Sequence, residues 1–297
     1  MESKIAIETG PVVVVTGAGK GLGAAFARSW GARKGRVVVN NRSHPGVPST
    51  AEAVAEEIRM RGGQAVAETS DVSDDGAAEA VVDTAIDSFG GLDALILNAG
   101  IAGEAARFVD SDPAAFHAVM AINFHANIAL VKAALPRLLK SRAGRILFVS
   151  STAGLYGVHG RAAYAASKGA LNGFALSLAD ELRRDAIGVN ILMPYAATNM
   201  TDGALTPDLE RLMAPDKVAA TACWLTSPDC TATGETWVSG AGFARQATVR
   251  EAATLTAHPN GAERETVSQF SDGQAAFQDF LSAVTERMKP SEKAEAL

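Results

Sequence analysis

The sequence predicts an α/β protein: a doubly wound, Rossmann-type parallel sheet of about seven strands, with helices on both faces. Three observations predict it. Short β-branched runs alternate with longer amphipathic stretches along most of the chain. Runs such as VVVV at 12–15 are apolar on both faces, as in strands covered by helices on each side. A glycine-rich turn, TGAGKGLG, follows the first strand directly, at the place where such folds bind phosphates.

The elements follow in order. Strands are predicted at 12–16, 37–41, 64–69, 93–98, 145–150 and 189–193, with a seventh around Trp237 and Val238 after Gly234. Helices are predicted at 21–33, 51–61, 75–88, 116–139 and 163–185. In the second of these, Ala53, Val54 and Ile58 fall at helical spacing. Pro136 is expected to kink or loosen the last turn of the fourth. Composition shifts after about Arg245, which divides the chain into a dinucleotide-binding domain, 1–245, and a C-terminal extension, 246–297. Within the extension only 275–288 reads as a helix.

Bulk properties narrow the function. The chain has 297 residues, 47% of them hydrophobic, and a net charge of −6, so it can bury a large core. Acidic and basic residues are mixed, which gives no basic patch for nucleic acid and no basic amphipathic segment for a membrane surface. No apolar run is expected to approach the ~20 residues of a membrane span. The N-terminal MESKIAIETGP lacks an apolar core, so the expected location is cytoplasmic. Cys223 and Cys230 show no metal-ligand spacing and read as core thiols; no metal site is expected.

The glycine loop carries the first functional signal. Gly17, Gly21 and Gly23 give the spacing G-x-x-x-G-x-G, with Leu22 where the commoner pattern has its third glycine. Small residues let the backbone approach a pyrophosphate, and the helix that follows offers N–H groups and a positive dipole end. The second strand ends Asn40-Asn41-Arg42-Ser43, without the carboxylate that usually bonds the ribose 2′-hydroxyl of NAD. Arg42, with Lys20 in the glycine loop, favours NADP over NAD.

Tyr164 and Lys168 carry the second signal. They stand four apart on the fifth helix and so share a face, with Ser151 thirteen residues upstream of the tyrosine. A phenol of pKa about 10 is a poor base at neutral pH. A neighbouring ammonium is expected to lower that pKa and suit the phenol to alcohol and ketone chemistry. Ser151 can hold the same substrate oxygen. An isolated Tyr-x-x-x-Lys pair is most often a surface helix; the glycine loop changes that reading.

In these motifs residues 10–245 resemble the short-chain dehydrogenase/reductase family. The resemblance rests on TGAGKGLG, Asp71-Val72, Asn98-Ala99-Gly100, Asn123, Ser151 and the Tyr164/Lys168 pair. It implies Tyr164 as general acid/base, with Lys168 on the nicotinamide ribose and Ser151 orienting the substrate oxygen. It further implies a water-mediated proton relay at Asn123, adenine contacts from Asp71 and Val72, and support of the sheet behind the cofactor by Asn98. Asn98 and Asn123 can also be read as plain structural hydrogen-bonding residues. Two departures stand out: Leu97 replaces an asparagine, and Pro194-Tyr195 stands where the family usually has Pro-Gly. The segment from Pro194 to Met200 resembles the (3R)-hydroxyacyl-CoA dehydrogenase branch.

The resemblance therefore implies an NADP- or NAD-dependent oxidoreductase on a hydrophobic secondary alcohol or ketone, such as a 3-hydroxyacyl-CoA. A hydroxysteroid or other bulky alcohol is the alternative. A non-catalytic dinucleotide-binding protein is the distant one, and it would be expected to lose the tyrosine or the lysine. Residues 198–212 suggest a substrate lid, through Met200, Leu205, Leu209 and Leu212, or a helix packed on the core. The fourth and fifth helices have extensive apolar and small-residue faces, and because such helices pair across a dimer interface in that family, the resemblance implies a homodimer or homotetramer.

Overall fold

The computed structural model describes residues 10–197, 206–252, 267–268 and 282. The chain divides into two compact units, Met1–Gln246 and Ala247–Leu297. The first unit is built on a sheet whose strands, in chain order, are β1 (Val12–Val15), β2 (Arg36–Asn40), β3 (Gln64–Glu68), β4 (Ala94–Leu97), β5 (Arg145–Val149), β6 (Gly188–Tyr195), β7 (Thr236–Gly240) and β8 (Phe243–Ala247). Their order in the sheet is β3-β2-β1-β4-β5-β6-β7-β8. Every pairing from β3 to β7 is parallel. The order reverses between β1 and β4, and that switch point is where an open α/β sheet forms its binding crevice.

Helices supply the crossovers: α1 (Gly21–Ala32), α2 (Thr50–Met60), α3 (Ala77–Phe89), α4 (Pro113–Met120), α5 (Ala126–Leu138), α6 (Ala153–Tyr156), α7 (Ala162–Glu181), α8 (Pro207–Leu212) and α9 (Asp216–Leu225). Ser49 caps α2 by accepting from the Glu52 N–H, and Asp112 caps α4 through the Ala114 N–H. The strands β1, β4 and β5 are buried along their whole length. Helix α1 packs on α9, where the Trp30 indole N–H donates to Thr226 Oγ1 at 3.1 Å. The Asp93 carboxylate accepts from Val12 N (2.8 Å) and Ser141 Oγ (2.7 Å), joining the starts of β1 and β4 to the end of α5.

Three expectations change. The helix predicted at 116–139 runs from Pro113 to Leu138, but a π-helical turn, Ala121–His125, interrupts its hydrogen-bond ladder. Pro136 stands in its last turn. This segment is also long and apolar enough to cross a membrane, with a mean hydropathy of 1.5. Here it packs against α3 and α7 instead. An eighth strand closes the sheet edge. It follows β7 after only Ala241 and Gly242, a connection that admits antiparallel pairing alone. Both residues have positive φ, +53° and +85°, as a tight hairpin turn requires. In the second unit, Glu251–Ala252 pairs antiparallel with Val267–Ser268. The helix predicted at 275–288 lies outside the described residues apart from Ser282. Cys223 and Cys230 are free and buried.

Leu147 lies at the centre of β5 with no exposed surface. Leu147→Ala should lower unfolding free energy by about 2–5 kcal/mol, read by urea denaturation.

Candidate active site

The carboxyl ends of β1, β4, β5 and β6 converge on one cleft of about 530 Å³. The glycine loop forms one wall, and close approach dictates its composition. Gly17 sits at φ +63°, where a Cβ would lie 2.9 Å from Ala99 Cα. A Cβ on Gly23 would lie 2.3 Å from the Gly17 carbonyl oxygen. Asn98 pins this contact. Its Nδ2 donates to the carbonyls of Thr16 (2.9 Å) and Gly17 (3.2 Å). Thr16 Oγ1 in turn accepts from the N–H groups of Asn98 and Ala99.

Helix α1 begins beside this loop. Lys20 occupies its N-cap position and supplies no side-chain cap, which leaves first-turn N–H groups for an anion. The residues present therefore fit a dinucleotide pyrophosphate. Of the residues the sequence singles out, Gly17, Lys20, Gly21, Leu22, Arg42, Asp71, Val72, Asn98, Tyr164, Lys168 and Pro194 all line the cleft. Gly23, Asn123 and Ser151 do not line it. Asn40, Asn41, His44, Thr50 and Ile122 line it too and were missed. Their signal was present in part, since Asn40 and Asn41 end β2.

At the far end of the cleft, Asn40 Nδ2 donates to Glu68 Oε2 (2.5 Å) and the Ser70 carbonyl (3.1 Å). Asn41 Nδ2 donates to Thr50 Oγ1 at 2.9 Å. Arg42 pairs with Asp71 at 3.0 Å. Asp71 also accepts from the Ser73 N–H and hydroxyl. Burial acts to raise the Asp71 carboxyl, but the Ser73 and Arg42 bonds outweigh it and leave the group below its ordinary value.

At the other end stand Tyr164 and Lys168. Lys168 is 4% exposed. Its Nζ donates to the carbonyl of Val149, the last residue of β5, at 2.8 Å, and lies 5.8 Å from the Tyr164 ring centroid. Burial pushes the ammonium down from 10.5 to about 8. The expectation that Lys168 lowers the phenol is not met within the protein itself. Burial raises Tyr164, and the Ser151 hydroxyl and the Arg161 charge pull it only part of the way back.

The two adjacent serines differ in placement: Ser150 lines the cleft and Ser151 does not. Ser150 is buried, and its hydroxyl donates to Asn172 Oδ1 at 2.6 Å, tying β5 to α7. Ser151 accepts from Ala153 N at 3.1 Å at the start of α6, and its hydroxyl bonds the Tyr164 phenol. Asn123 lies fully buried in the π turn. Its amide clamps Ile101 on both sides, accepting from the N–H (2.8 Å) and donating to the carbonyl (2.9 Å). It also donates to Ser167 Oγ at 2.9 Å.

Comparison with known proteins agrees with this geometry. The short chain dehydrogenase profile matches residues 11–208. The chain belongs to the short-chain dehydrogenase family. As a short-chain dehydrogenase it is an oxidoreductase acting on CH–OH groups, and its family binds NAD(P). It is 37% identical to the peroxisomal multifunctional enzyme A of Dictyostelium discoideum, over 82% of this chain and 55% of that protein. It is 37% identical to the peroxisomal multifunctional enzyme type 2 of Mus musculus, over 79% of this chain and 32% of that one. The chain thus spans about half of the first relative and a third of the second. A crystal structure of a short chain dehydrogenase from Mycobacterium avium superimposes with a TM-score of 0.73 at 32% identity, covering 92% of this chain and 95% of that one.

The cytoplasmic expectation is overturned by these relatives, whose names place them in the peroxisome. It rested on the lack of an apolar leader. A peroxisomal address is a short receptor-read signal, so a missing apolar segment says nothing about it.

The Lys168 burial has a definite sign for stability. Below about pH 8 the fold holds a buried charge. Between about 8 and 10.5 the unfolded chain binds the proton more tightly, so the stability contributed here rises with pH. Lys168→Met should therefore be more stable than the parent at about pH 7, by ~1–3 kcal/mol. That gain should disappear by about pH 10, as the parent sheds its charge and keeps the Val149 contact. Urea unfolding of both proteins at the two pH values measures it.

Proposed function

We propose that this chain interconverts a hydrophobic secondary alcohol and its ketone, with NADP(H) as the preferred cofactor and a 3-hydroxyacyl-CoA thioester as substrate class. The observation that carries the reading is that Tyr164 and Lys168 line the same cleft as the glycine loop. A bound nicotinamide supplies the hydride acceptor for oxidation and the donor for reduction. Tyr164 removes the hydroxyl proton in oxidation and returns it in reduction. Ser151, whose hydroxyl bonds the Tyr164 phenol in the protein alone, would turn that hydroxyl to the substrate oxygen. Lys168 holds the ribose hydroxyls, with Val149 O fixing its other side. Asn123 keeps the 98–101 loop against the π turn, and a water relay from Lys168 would begin at this turn.

The preference for NADP is supported by the end of β2. Asn40 and Asn41 are engaged with their neighbours and bring no carboxylate to the cleft. Lys20, Arg42 and His44 line it there. Asp71 offsets part of the Arg42 charge, while Lys20 forms no ion pair among the described residues. The substrate class is supported by the sequence resemblance and by the multifunctional enzymes among the relatives. Those relatives also favour a peroxisomal location. Of the proposed lid, residues 198–205 lie outside the described residues. Its two ends are joined by Ala197 N donating to Met213 O at 2.7 Å. Leu209 and Leu212 on α8 are half exposed, as a cover over an apolar substrate requires. We infer a homo-oligomer built through α5 and α7, where Leu176 leaves apolar surface in solvent.

Tyr164→Phe should cut turnover by ~10²–10⁴-fold; undiminished ketone reduction would reject the mechanism. The parent should give a higher kcat/KM with NADPH than with NADH, and Arg42→Ala should shrink that ratio roughly tenfold. A strong NADH preference in the parent would contradict the cofactor assignment. A panel of 3-oxoacyl-CoA, steroid and small ketones tests the substrate class, with 3-oxoacyl-CoA expected to give the highest kcat/KM.

A further inference from the structure

Arg161 stands one helical turn before Tyr164, at the N-cap position of α7, with no acidic partner among the described residues. A cation there opposes the helix dipole, which favours anions at an N-terminus. Its side chain is held all the same: Nη1 donates to the Gly103 carbonyl at 2.8 Å and, more weakly, to the Ala102 carbonyl at 3.4 Å. Beside it, the Ala106 N–H donates to the Gly160 carbonyl at 2.9 Å. Ala102, Gly103, Phe116, Arg161 and Tyr164 line a single small crevice next to the main cleft.

We propose that Arg161 is a positioning residue for the reaction: it fastens the loop after β4 to the first turn of the tyrosine-bearing helix and holds a fixed positive charge beside the phenol. The proposal rests on Tyr164 being the acid/base. The loop is then fixed at three successive points. Asn98 ties it to the glycine loop, Asn123 ties Ile101 to the π turn, and Arg161 ties Ala102 and Gly103 to α7.

The charge has a consequence for the phenol. The titratable groups on the segments around Tyr164 include Lys168 on its own helix, Glu104 in the loop, Tyr156 on α6, His159 in the turn before α7, His117 on α4 and His125 in the π turn. Glu104, Tyr156, His159, His117 and His125 are exposed to solvent, which screens them. Arg161 is the side chain whose charge lowers the phenol against the opposing effect of burial. Lys168 is turned to the Val149 carbonyl.

The chain has three tyrosines, so the near-ultraviolet phenolate absorbance of the protein minus that of Tyr164→Phe isolates Tyr164 without any substrate. In Arg161→Gln that phenol should titrate about half a pH unit or more above the parent. In Arg161→Lys it should titrate with the parent, because the charge remains. Lysine lacks the planar fork, so hydrogen exchange of the 101–106 amides in Arg161→Lys should quicken severalfold. A glutamine variant whose phenol titrates with the parent overturns the charge. A lysine variant with unchanged exchange overturns the clamp, and this arm decides should glutamine fail to fold. The acid/base reading fails separately, by activity surviving in Tyr164→Phe.

Discussion

A buried ammonium organises this site. Lys168 sits in the core of the first unit with the Val149 carbonyl as its hydrogen-bond acceptor, and burying a charge is costly unless partners surround it. Its neighbours are arranged accordingly. Gly100 brings backbone so near that a Cβ there would lie 3.6 Å from the ammonium and 3.1 Å from Asn123 Oδ1. Asn123 occupies a π turn rather than an α turn, and from there its amide reaches both backbone groups of Ile101. Ser150 and Asn172 tie β5 to α7 directly behind the lysine. A protein that keeps a lysine partly ready to lose its proton spends stability on it, and sites of reaction are where such expense recurs.

The cleft joins two ends of different character. At the glycine loop, close backbone approach shapes the wall, with glycine at Gly17 and Gly23 where a Cβ would collide. At the tyrosine, burial sets the chemistry. The phenol is raised rather than lowered by its surroundings, with the Ser151 hydroxyl and the Arg161 charge acting against burial; in the proposed mechanism a bound cofactor would add its own charge. The switch between β1 and β4 places both ends on one crevice, as the parallel order of the sheet requires.

Much of this was legible in the sequence, because strands buried on both faces announce themselves as apolar β-branched runs. The first six strands lie within two residues of their predicted bounds. The eighth strand was not legible: Phe243 to Arg245 are exposed, so FARQA carries no alternation, and its place follows from a turn in which a non-glycine residue, Ala241, takes positive φ. The π turn was hidden for another reason. Nothing in AINFH marks it locally; it accompanies tertiary bonds from Asn123 to Ile101 and Ser167. Ser151 was separable from Ser150 only by its spacing to the tyrosine, while the structure separates them by partner. The direction of the Tyr164 shift failed because helical spacing reports proximity to Lys168 and not how deeply both groups are buried.

The central claim, that burial of Lys168 sets the chemistry of this site, is tested most directly by titrating its side chain with isotope-labelled lysine NMR, assigned by comparison with Lys168→Met. The account predicts a midpoint of about 8. An ordinary midpoint of about 10.4 would show that the ammonium is solvated, and would contradict it.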